Sequence, residues 1–322
     1  MNAKFFFNNK TILITGGTGS LGFELTKYFL KNFNLKKIIL FSRDEQKHFQ
    51  LEKEFNNPKL RFLIGDVRDF RRTNLALKEV DYVIHAAAQK HVLLSEYNPQ
   101  ECVNTNILGT QNIIESCINQ KVKKCILIST DKSVNPINLY GATKLVAEKI
   151  TLNGNYLSGK NGTIFSAIRY GNVLGSKGSI LPLFSNLNKE GKKIPITHSD
   201  MTRFIISFEE AIKLVVLCLI TSRRGDIFVP ISNSIKITDF VKIINPKAKI
   251  YITGIKKGEK IHEELISRSE SEYAKKVNNF YIINNNLNKK NNNSFEYTSK
   301  ENLFNSKKSI KSSYIDIIKN FL

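Results

Sequence analysis

A tyrosine and a lysine four residues apart, Tyr140 and Lys144, have the types and spacing to carry out chemistry. The pair follows a short apolar run, residues 125–128, that is typical of a buried parallel strand, and it lies where a helical pattern begins. Positions i and i+4 share one face of a helix, so we expect the Lys144 ammonium to favour the phenolate and to lower the pKa of Tyr140. Together with the hydroxyl of Thr130, these groups could move a proton at an alcohol while a hydride is transferred.

Asp131 and Lys132 lie between that strand and Tyr140, and simple oxidation of an alcohol needs neither of them. A carboxyl group and an amine at this point suit a second proton transfer, off carbon and onto a leaving hydroxyl. The plainer interpretation is that the Tyr-x-x-x-Lys spacing arises by chance and that Asp-Lys belongs to a solvated loop. The strand before the pair and the nucleotide motif described next favour the chemical interpretation.

A glycine-rich motif lies near the amino terminus. The apolar run 11–15 leads into GGTGSLG at residues 16–22, and residues 23–33 have helical spacing. Glycines at these positions let the backbone turn tightly and approach a pyrophosphate, whose charge then meets the N-terminus of the helix. A glycine turn without a ligand is the plainer alternative, but the strand before and the helix after are typical of a dinucleotide site.

The second predicted strand, residues 37–41, ends at Ser42 and Arg43, where an acidic residue would bind a ribose 2′-hydroxyl. A hydroxyl and a guanidinium instead match a 2′-phosphate, so the sequence predicts NADP rather than NAD. Alternatively, Asp44 and Glu45 make Arg43 part of a surface ion pair. After the third strand, Asp66 can accept a hydrogen bond from an adenine amino group.

Strands and helices alternate along the first half of the chain, which predicts an α/β fold with a doubly wound parallel sheet of the Rossmann type. In such a sheet the loops after the strands meet at one edge, so all the motifs above should lie together. We expect an NADP-binding domain over residues 1–174, with a return to the sheet near 204–231. Residues 175–322 should form a mainly substrate-binding region, and the Asn-, Lys- and Ser-rich stretch 284–313 a poorly ordered surface segment. The expected strands are 11–15, 37–41, 61–64, 81–85, 125–129 and 163–169, and the expected helices include 106–118 and 139–152.

The formal net charge of +21 is compatible with binding to nucleic acid or to a membrane surface. The basic residues are mostly lysines spread along the chain beside many asparagines, so compositional bias explains the charge better, and no nucleic-acid partner is expected. The four cysteines form no C-x-x-C pair and lie in apolar patterns, which favours a reduced cytoplasmic protein without a metal site. We expect no signal peptide and no membrane span, since the longest apolar run, residues 214–220, is far short of the roughly 20 residues that a span needs.

The motifs at residues 15–22, 42–45, 129–144, 169–179, 201–204 and 258–260 together resemble the inverting UDP-N-acetylglucosamine 4,6-dehydratases. These are extended-type members of the short-chain dehydrogenase/reductase superfamily that begin pseudaminic acid synthesis. The resemblance covers roughly residues 11–265, and the block STDK plus NPINLYGATK is highly specific. It implies a cytoplasmic lyase that forms homo-oligomers, either dimers or hexamers, through helices 106–118 and 139–152.

The resemblance also implies catalytic roles that agree with the chemistry above. Tyr140, assisted by Lys144 and Thr130, would deprotonate the 4-hydroxyl of the sugar as NADP takes the hydride from C4. Lys132 would then remove the proton from C5, and Asp131 would protonate the departing 6-hydroxyl. Hydride would return to C6 and a proton to the opposite face of C5, giving UDP-2-acetamido-2,6-dideoxy-β-L-arabino-hex-4-ulose.

Binding residues follow from the motifs and the resemblance. Two departures from the family pattern are Leu93, where a proline is usual, and Lys256, where an arginine usually meets the substrate phosphates. Lysine keeps the charge but loses the bidentate geometry. The expected substrate residues are Asn172, Ile180, Thr197, Lys256 and Glu259. The expected cofactor residues are Gly16, Thr18, Gly19, Ser20, Leu21, Gly22, Ser42, Arg43, Lys47, Asp66, Val67, Ala86, Lys90, Thr105, Tyr140, Lys144 and Val173.

Other functions stay open at the level of sequence. A UDP-sugar 4-epimerase or reductase of the same fold would use Tyr140 and Lys144 but would not need Asp131 and Lys132. A bifunctional dehydratase/5-epimerase is closer, although such relatives lack the tyrosine. From another class, a non-catalytic NADP- or RNA-binding protein would exploit the positive charge, with strong salt-dependent RNA affinity as its signature.

Overall fold

The computed structural model describes residues 2–284, 294–304 and 310–320. The buried apolar runs of the first half form strands almost where the sequence predicts them. Among the described residues the strands are β1 (Thr11–Thr15), β2 (Lys37–Ser42), β3 (Leu60–Ile64), β4 (Tyr82–His85), β5 (Lys124–Ile128), β6 (Ile164–Ile168), β7 (Asn172–Val173), β8 (Ile194–Ile196), β9 (Thr202–Ile206), β10 (Ile227–Pro230), β11 (Ser234–Lys236), β12 (Ile250–Ile252), β13 (Glu264–Ile266), β14 (Ala274–Val277), β15 (Phe280–Ile283) and β16 (Tyr297–Thr298).

Helices connect these strands and cover both faces of the main sheet. A π-helical turn, Asn104–Leu108, precedes one of them, and a 3₁₀ turn, Asp131–Ser133, follows β5. The helices are α1 (Ala3–Phe7), α2 (Ser20–Asn32), α3 (Glu45–Phe55), α4 (Phe70–Ala76), α5 (Val92–Tyr97), α6 (Pro99–Val103), α7 (Gly109–Asn119), α8 (Leu139–Leu157), α9 (Ile180–Lys189), α10 (Phe208–Thr221), α11 (Ile237–Ile244), α12 (Arg268–Ser271) and α13 (Ser312–Lys319).

In the described ranges, the main sheet has nine strands in the order β14-β15-β10-β6-β5-β4-β1-β2-β3. The pairs from β3 through β10 are parallel, which confirms the predicted doubly wound architecture. Side chains on both faces of the central strands are buried, as parallel sheets require: all five residues of β1 are buried. The carboxyl ends of β1, β2, β4, β5 and β6 therefore lie at one edge, where ligands of such sheets bind.

The second half of the chain is more closely joined to the main sheet than we predicted. Beyond β10, which lies inside the expected return, β15 pairs antiparallel with β10, and β14 pairs with β15. The prediction of a poorly ordered surface segment over 284–313 is wrong for its described part: Tyr297 is 5% exposed and pairs through β16 with β13, and Ser299 is 0% exposed. Buried apolar contacts rather than composition decide the conformation there, because Tyr297 packs against Phe204 and Tyr281. Residues 285–293 and 305–309 of that segment lie outside the described residues.

A second hydrophobic core lies beside the main sheet, within the second half of the chain. Its members come from α9, β8, α11 and α13, and they include Phe184, Ile194, Phe240 and Tyr314. The core also includes Leu174, directly after β7, and so connects the end of β7 with α9. None of the helices in the part of the chain that the structure describes has the length and apolar character for crossing a membrane.

Candidate active site

The turn between β5 and α8 positions the residues with the strongest chemical signal. The backbone of the turn is fixed to the neighbouring strand, because Ser129 N donates to Ile168 O (2.7 Å) and Asp131 N donates to Tyr170 O (3.2 Å). Asn138 caps α8 by accepting a hydrogen bond from Gly141 N at 2.7 Å. A Cβ at Gly141 would lie 2.2 Å from Lys132 O, so only glycine allows the first turn of α8 to pack this closely on the 3₁₀ turn.

Asp131 and Lys132 form a buried ionic cluster with a residue that the motifs did not indicate, Glu263. Lys132 Nζ lies 3.1 Å from Asp131 Oδ1 and 3.1 Å from Glu263 Oε1. Thr130 Oγ1 donates to Asp131 Oδ1 at 2.9 Å. Burial alone would lower the pKa of Lys132, but the two carboxylates raise it above its ordinary value. In the ligand-free protein Lys132 is therefore an ammonium, and it needs to lose a proton before it can act as a base.

Tyr140 and Lys144 occupy the same face of α8, but the electrostatics differ from our expectation. Burial raises the pKa of Tyr140 to about 12, and the cation that opposes this most is Lys132. Burial lowers the pKa of Lys144 to about 8, and its Nζ donates to Ile128 O at 2.7 Å. The predicted lowering of the tyrosine pKa by Lys144 is thus wrong for the ligand-free protein, because desolvation of the phenol outweighs the attraction of nearby cations.

The glycine-rich loop has the close packing that its motif predicts. A Cβ at Gly22 would lie 2.3 Å from Gly17 O, and one at Gly17 would lie 2.9 Å from Leu40 and from Ile14 O, so α2 starts directly against the loop. Thr18 Oγ1 is hydrogen-bonded to Ser42 Oγ at 2.9 Å, which joins the loop to the end of β2. The remaining predicted loop residues, Gly16, Gly19, Ser20 and Leu21, lie in the same turn and at the start of α2.

Basic residues flank this loop. The Arg43 side chain is 56% exposed and reaches Asp66 only at 3.8 Å, whereas Arg68 holds the Asp66 carboxylate at 2.7 Å. Lys47 forms an ion pair with Asp44, the N-cap of α3, and lines a cavity together with Thr18, Gly19, Ser20 and Lys177. An exposed guanidinium whose one ion pair among the described residues is 3.8 Å long is available to bind an added anion.

A strap from β7 to α9, residues 174–179, crosses the rim of the loop. Lys177 N donates to Ser20 Oγ at 3.1 Å, and Lys90 Nζ donates to Lys177 O at 2.8 Å. Burial lowers the pKa of Lys90. The strap therefore brings Lys90, predicted to bind the cofactor, to the same rim as the glycine-rich loop.

The π-helical turn carries Thr105, whose buried Oγ1 has no hydrogen-bond partner among the described residues. The next residue, Asn106, connects two predicted site segments: its Oδ1 accepts from Gln89 N at 2.8 Å and its Nδ2 donates to Thr143 Oγ1 at 3.0 Å. Ala86 N and Ala87 N both donate to Thr15 Oγ1 at 3.1 Å, which fixes the start of the same segment. Val67 is buried against the helix that follows the π turn, since a Cβ at Gly109 would lie 2.6 Å from it.

The predicted substrate residues fall into three places. Asn172 and Ile180, with Val173, line one cavity beside Ser179 and Arg203, and Asn172 Oδ1 and Ser179 Oγ are buried without a hydrogen-bond partner in the described chain. Thr197 follows β8, and its hydroxyl contacts Met201 Sδ at 3.3 Å. Lys256 and Glu259 share an exposed loop in which Lys256 N donates to Glu259 Oε2 at 3.3 Å.

That loop is anchored to the catalytic turn. Asn138 Nδ2 donates to Gly258 O, and Lys260 Nζ donates to Val134 O, both at 2.7 Å. These hydrogen bonds place the exposed loop next to the N-terminus of α8. Among the described residues, the Lys256 side chain makes no hydrogen bond to α8 or to the catalytic turn.

Sequence reasoning missed Glu263, Arg203 and Ser179 as members of the site. Ser179 and Arg203 lie inside motifs that carry the resemblance, but the motifs alone do not indicate what either residue does. Glu263 is 131 residues from its partner Lys132, and no local pattern marks it. Buried oxygens without partners are the structural signal that identifies both Ser179 and Glu263.

Comparisons with known proteins identify the relatives of this chain. Residues 12–285 match the family model described as "Polysaccharide biosynthesis protein". The chain is 50% identical over 278 residues, covering 86% of it and 83% of the relative, to "UDP-N-acetylglucosamine 4,6-dehydratase (inverting)" from Campylobacter jejuni serotype O:2. It is 43% identical over 284 residues, covering 86% of it and 83% of the relative, to a protein named "UDP-glucose 4-epimerase" from Rickettsia bellii.

A solved structure is similar over almost the whole chain. The X-ray structure of Pen from Bacillus thuringiensis superposes with a TM-score of 0.91 at 38% identity, covering 98% of each chain. A family match over most of the chain and relatives of this identity show common descent. The chain belongs to the polysaccharide biosynthesis protein family of extended short-chain dehydrogenase/reductase fold, whose members include inverting UDP-N-acetylglucosamine 4,6-dehydratases.

Proposed function

We propose that this protein catalyses the inverting 4,6-dehydration of UDP-N-acetylglucosamine, with NADP recycled within each turnover, as the first step of pseudaminic acid synthesis. The observation that carries the proposal is the 3.1 Å contact between the buried Asp131 and the partly buried Lys132, next to Tyr140. Oxidation at C4 alone needs no such pair, whereas removal of water across C5 and C6 needs a base and an acid together. The 50% identity to the Campylobacter dehydratase supports the same substrate and reaction.

The residues around the glycine-rich loop fit a dinucleotide. The tight approach of Gly17 and Gly22 leaves backbone amides at the start of α2 for a pyrophosphate. The buried Thr105 hydroxyl, which has no hydrogen-bond partner among the described residues, is available to a ligand. Ser42 and the exposed Arg43 would hold a 2′-phosphate, which favours NADP. A bound NADP would supply the hydride acceptor for C4 of the sugar and the hydride donor for C6.

The chain's own residues move the protons. Tyr140 receives the proton of the 4-hydroxyl, for which its phenol has to be ionised first. Because its pKa is raised to about 12 in the ligand-free protein, ionisation requires additional positive charge beside the phenol when the ligands bind. Lys144, one turn further along the same face, is a cation whose lowered pKa of about 8 lets it gain or lose a proton near neutral pH. Lys132 removes the C5 proton, and Asp131 protonates the hydroxyl that leaves C6.

A UDP-sugar 4-epimerase is the second candidate. The Rickettsia relative that bears this name, at 43% identity, is the specific observation in its favour. Such an enzyme would use Tyr140 and Lys144 and leave Asp131 and Lys132 without a role. The two candidates therefore differ in what happens at C5 and C6.

Proton NMR of UDP-N-acetylglucosamine incubated with the protein and NADP in deuterium oxide tests the proposal. We expect a new C6 methyl signal from a 4-keto sugar with inverted C5 and with deuterium at C5. A sugar that changes only at C4 would establish the epimerase instead. An unchanged spectrum would refute both candidates for this substrate.

The proposal includes a homo-oligomer. Large apolar side chains are exposed on α5, where Leu93, Leu94 and Tyr97 are 53%, 59% and 84% exposed, and on the neighbouring α8, where Val146 is 40% exposed. Clusters of this kind commonly mark protein interfaces. Sedimentation equilibrium measures the mass, and a monomer at micromolar concentration would contradict the proposal.

A further inference from the structure

The amine of Lys132 is shared by two carboxylates, only one of which has a role in the proposed reaction. Besides Asp131, Lys132 Nζ contacts Glu263 Oε1 at 3.1 Å, and the side chains of Asp131 and Glu263 are 1% and 3% exposed. Arg203 Nε lies 3.9 Å from the same Glu263 oxygen, and its Nη1 is fixed by Thr202 O at 2.7 Å. Among the described residues, Glu263 therefore has two cations within 4 Å, Lys132 and Arg203, whereas Asp131 has one, Lys132.

The second oxygens of both acids, Asp131 Oδ2 and Glu263 Oε2, are buried without a hydrogen-bond partner in the described residues. Burial raises the pKa of Asp131 above its ordinary value. Burial acts on Glu263 in the same direction, but Lys132 and Arg203 outweigh it and lower the pKa of that carboxyl. The two acids that share the amine thus differ in direction: the raised pKa favours protonation of Asp131, and the lowered pKa favours the ionised form of Glu263.

The proposed reaction needs a neutral amine as base and a protonated carboxyl group as acid, while the resting cluster holds an ammonium and a carboxylate. These two forms differ only by one proton that crosses the 3.1 Å contact, with one N–H bond broken, one O–H bond formed and no change in net charge. In turnover the amine takes the C5 proton, and the acid gives its proton to the hydroxyl that leaves C6 as water. The pair is thereby returned to ammonium and carboxylate.

We propose, building on the dehydratase function above, that Glu263 is a positioning residue that holds Lys132 against Asp131 and stays ionised. One proton then moves from Lys132 to Asp131 and prepares the base and the acid together. The charged and titratable groups that face Lys132 are Asp131, Glu263, Arg203 and Tyr140, and those that face Glu263 are Lys132, Arg203, Lys260 and Asp131. Glu263 is the member of this set that can hold the amine without exchanging a proton.

The substitution Glu263→Gln keeps the shape and removes the charge. Because a nearby negative charge raises the pKa of both Lys132 and Asp131, its removal lowers both. We expect the acid and alkaline limbs of the kcat–pH profile to move together toward lower pH, by about one unit. The neighbouring Glu264→Gln is the matched control, since its carboxylate accepts from Asn135 at 2.6 Å and lies outside the cluster. A lower kcat with both limbs in place would show a merely structural role and would overturn the inference.

A second measurement needs no turnover. Competitive labelling of amines in the ligand-free protein, read by mass spectrometry as a function of pH, follows the pKa of Lys132 directly. Labelling of Lys132 should begin at a lower pH in Glu263→Gln than in Glu264→Gln or the parent. If the parent dehydrates no UDP-sugar but labelling shifts in this way, the proposed function fails while Glu263 still controls Lys132. If labelling does not shift, the inference fails whatever the activity.

Discussion

Two ionic clusters lie at the same edge of the sheet and behave differently. In the buried cluster of Asp131, Lys132 and Glu263, both carboxylates are at most 3% exposed and the contacts are 3.1 Å. In the surface cluster of Arg43, Asp66 and Arg68, the arginine side chains are 56% and 35% exposed, and Arg43 reaches Asp66 only at 3.8 Å. The two carboxylates of the first cluster thus have almost no contact with water, although Lys132 is 21% exposed, whereas both arginines of the second cluster are open to it.

Water decides what each cluster can do. Exposed pairs are screened and exchange partners at little cost, so the surface cluster can give up contacts to an anionic ligand. Buried charges are not screened, and each changes the protonation of the others. The surface cluster is therefore suited to binding and the buried cluster to proton transfer.

The largest effect is expected for Lys132→Ala. The substitution removes the proposed base and leaves two buried carboxylates without their shared cation, so kcat should fall by about 10²–10⁴-fold or more. NADP should still bind, because Lys132 is not among the residues predicted to contact it. NMR of the product and fluorescence titration of NADP are the two measurements. Full activity in this variant would exclude Lys132 as the base.

A smaller and more selective effect is expected for Arg43→Ala. Loss of a charged hydrogen bond to a 2′-phosphate should weaken NADP by about 10- to 100-fold, which corresponds to roughly 1.5–3 kcal/mol, and should leave NAD nearly unaffected. Isothermal titration with both dinucleotides measures the difference. The control is Arg71→Ala, which removes an exposed arginine of α4. Equal loss for both dinucleotides would refute the assignment to the 2′-phosphate.

The smallest effect is expected for Glu101→Gln in the surroundings of the surface cluster. Arg68 Nη1 contacts Glu101 Oε2 at 2.6 Å, but the side chains are 35% and 48% exposed. The free energy of unfolding should therefore change by less than about 1 kcal/mol, and activity should not change. Urea unfolding measures it. A decrease in the free energy of unfolding of about 3–5 kcal/mol, as expected for a broken buried ion pair, would show that the two clusters do not differ in this way.

The same contrast explains how much could be predicted from the sequence. The glycine-rich loop, the end of β2 and the start of α8 are each continuous, so their motifs and the order of the parallel strands could be recognised locally. The residues Thr18, Ser42 and Gly141 have close contacts within or next to those motifs. Local patterns suffice where neighbours in the sequence are neighbours in space.

The buried cluster could be predicted only in part. Asp131 and Lys132 are adjacent, but Arg203 and Glu263 join them from distant elements, and only tertiary packing brings them together. The raised pKa of Tyr140 was missed for a related reason, because desolvation depends on everything that surrounds the phenol. Tyr297 was assigned to the surface because a polar stretch of sequence does not reveal the aromatic pocket that receives it.

The π-helical turn at Asn104–Leu108 makes this part of the protein sensitive to the deletion of a residue. A π turn contains one residue more than the α-helical pattern requires, and each residue of an α-helix turns the chain by about 100°. Deleting a single residue there would restore regular helical hydrogen bonds but rotate Thr105 and Asn106 away from their present directions. Asn106 would then lose its hydrogen bonds with Gln89 N and with Thr143 Oγ1. In a homologue, the deletion of one residue at this turn would therefore change the candidate site more than many single substitutions elsewhere in the chain.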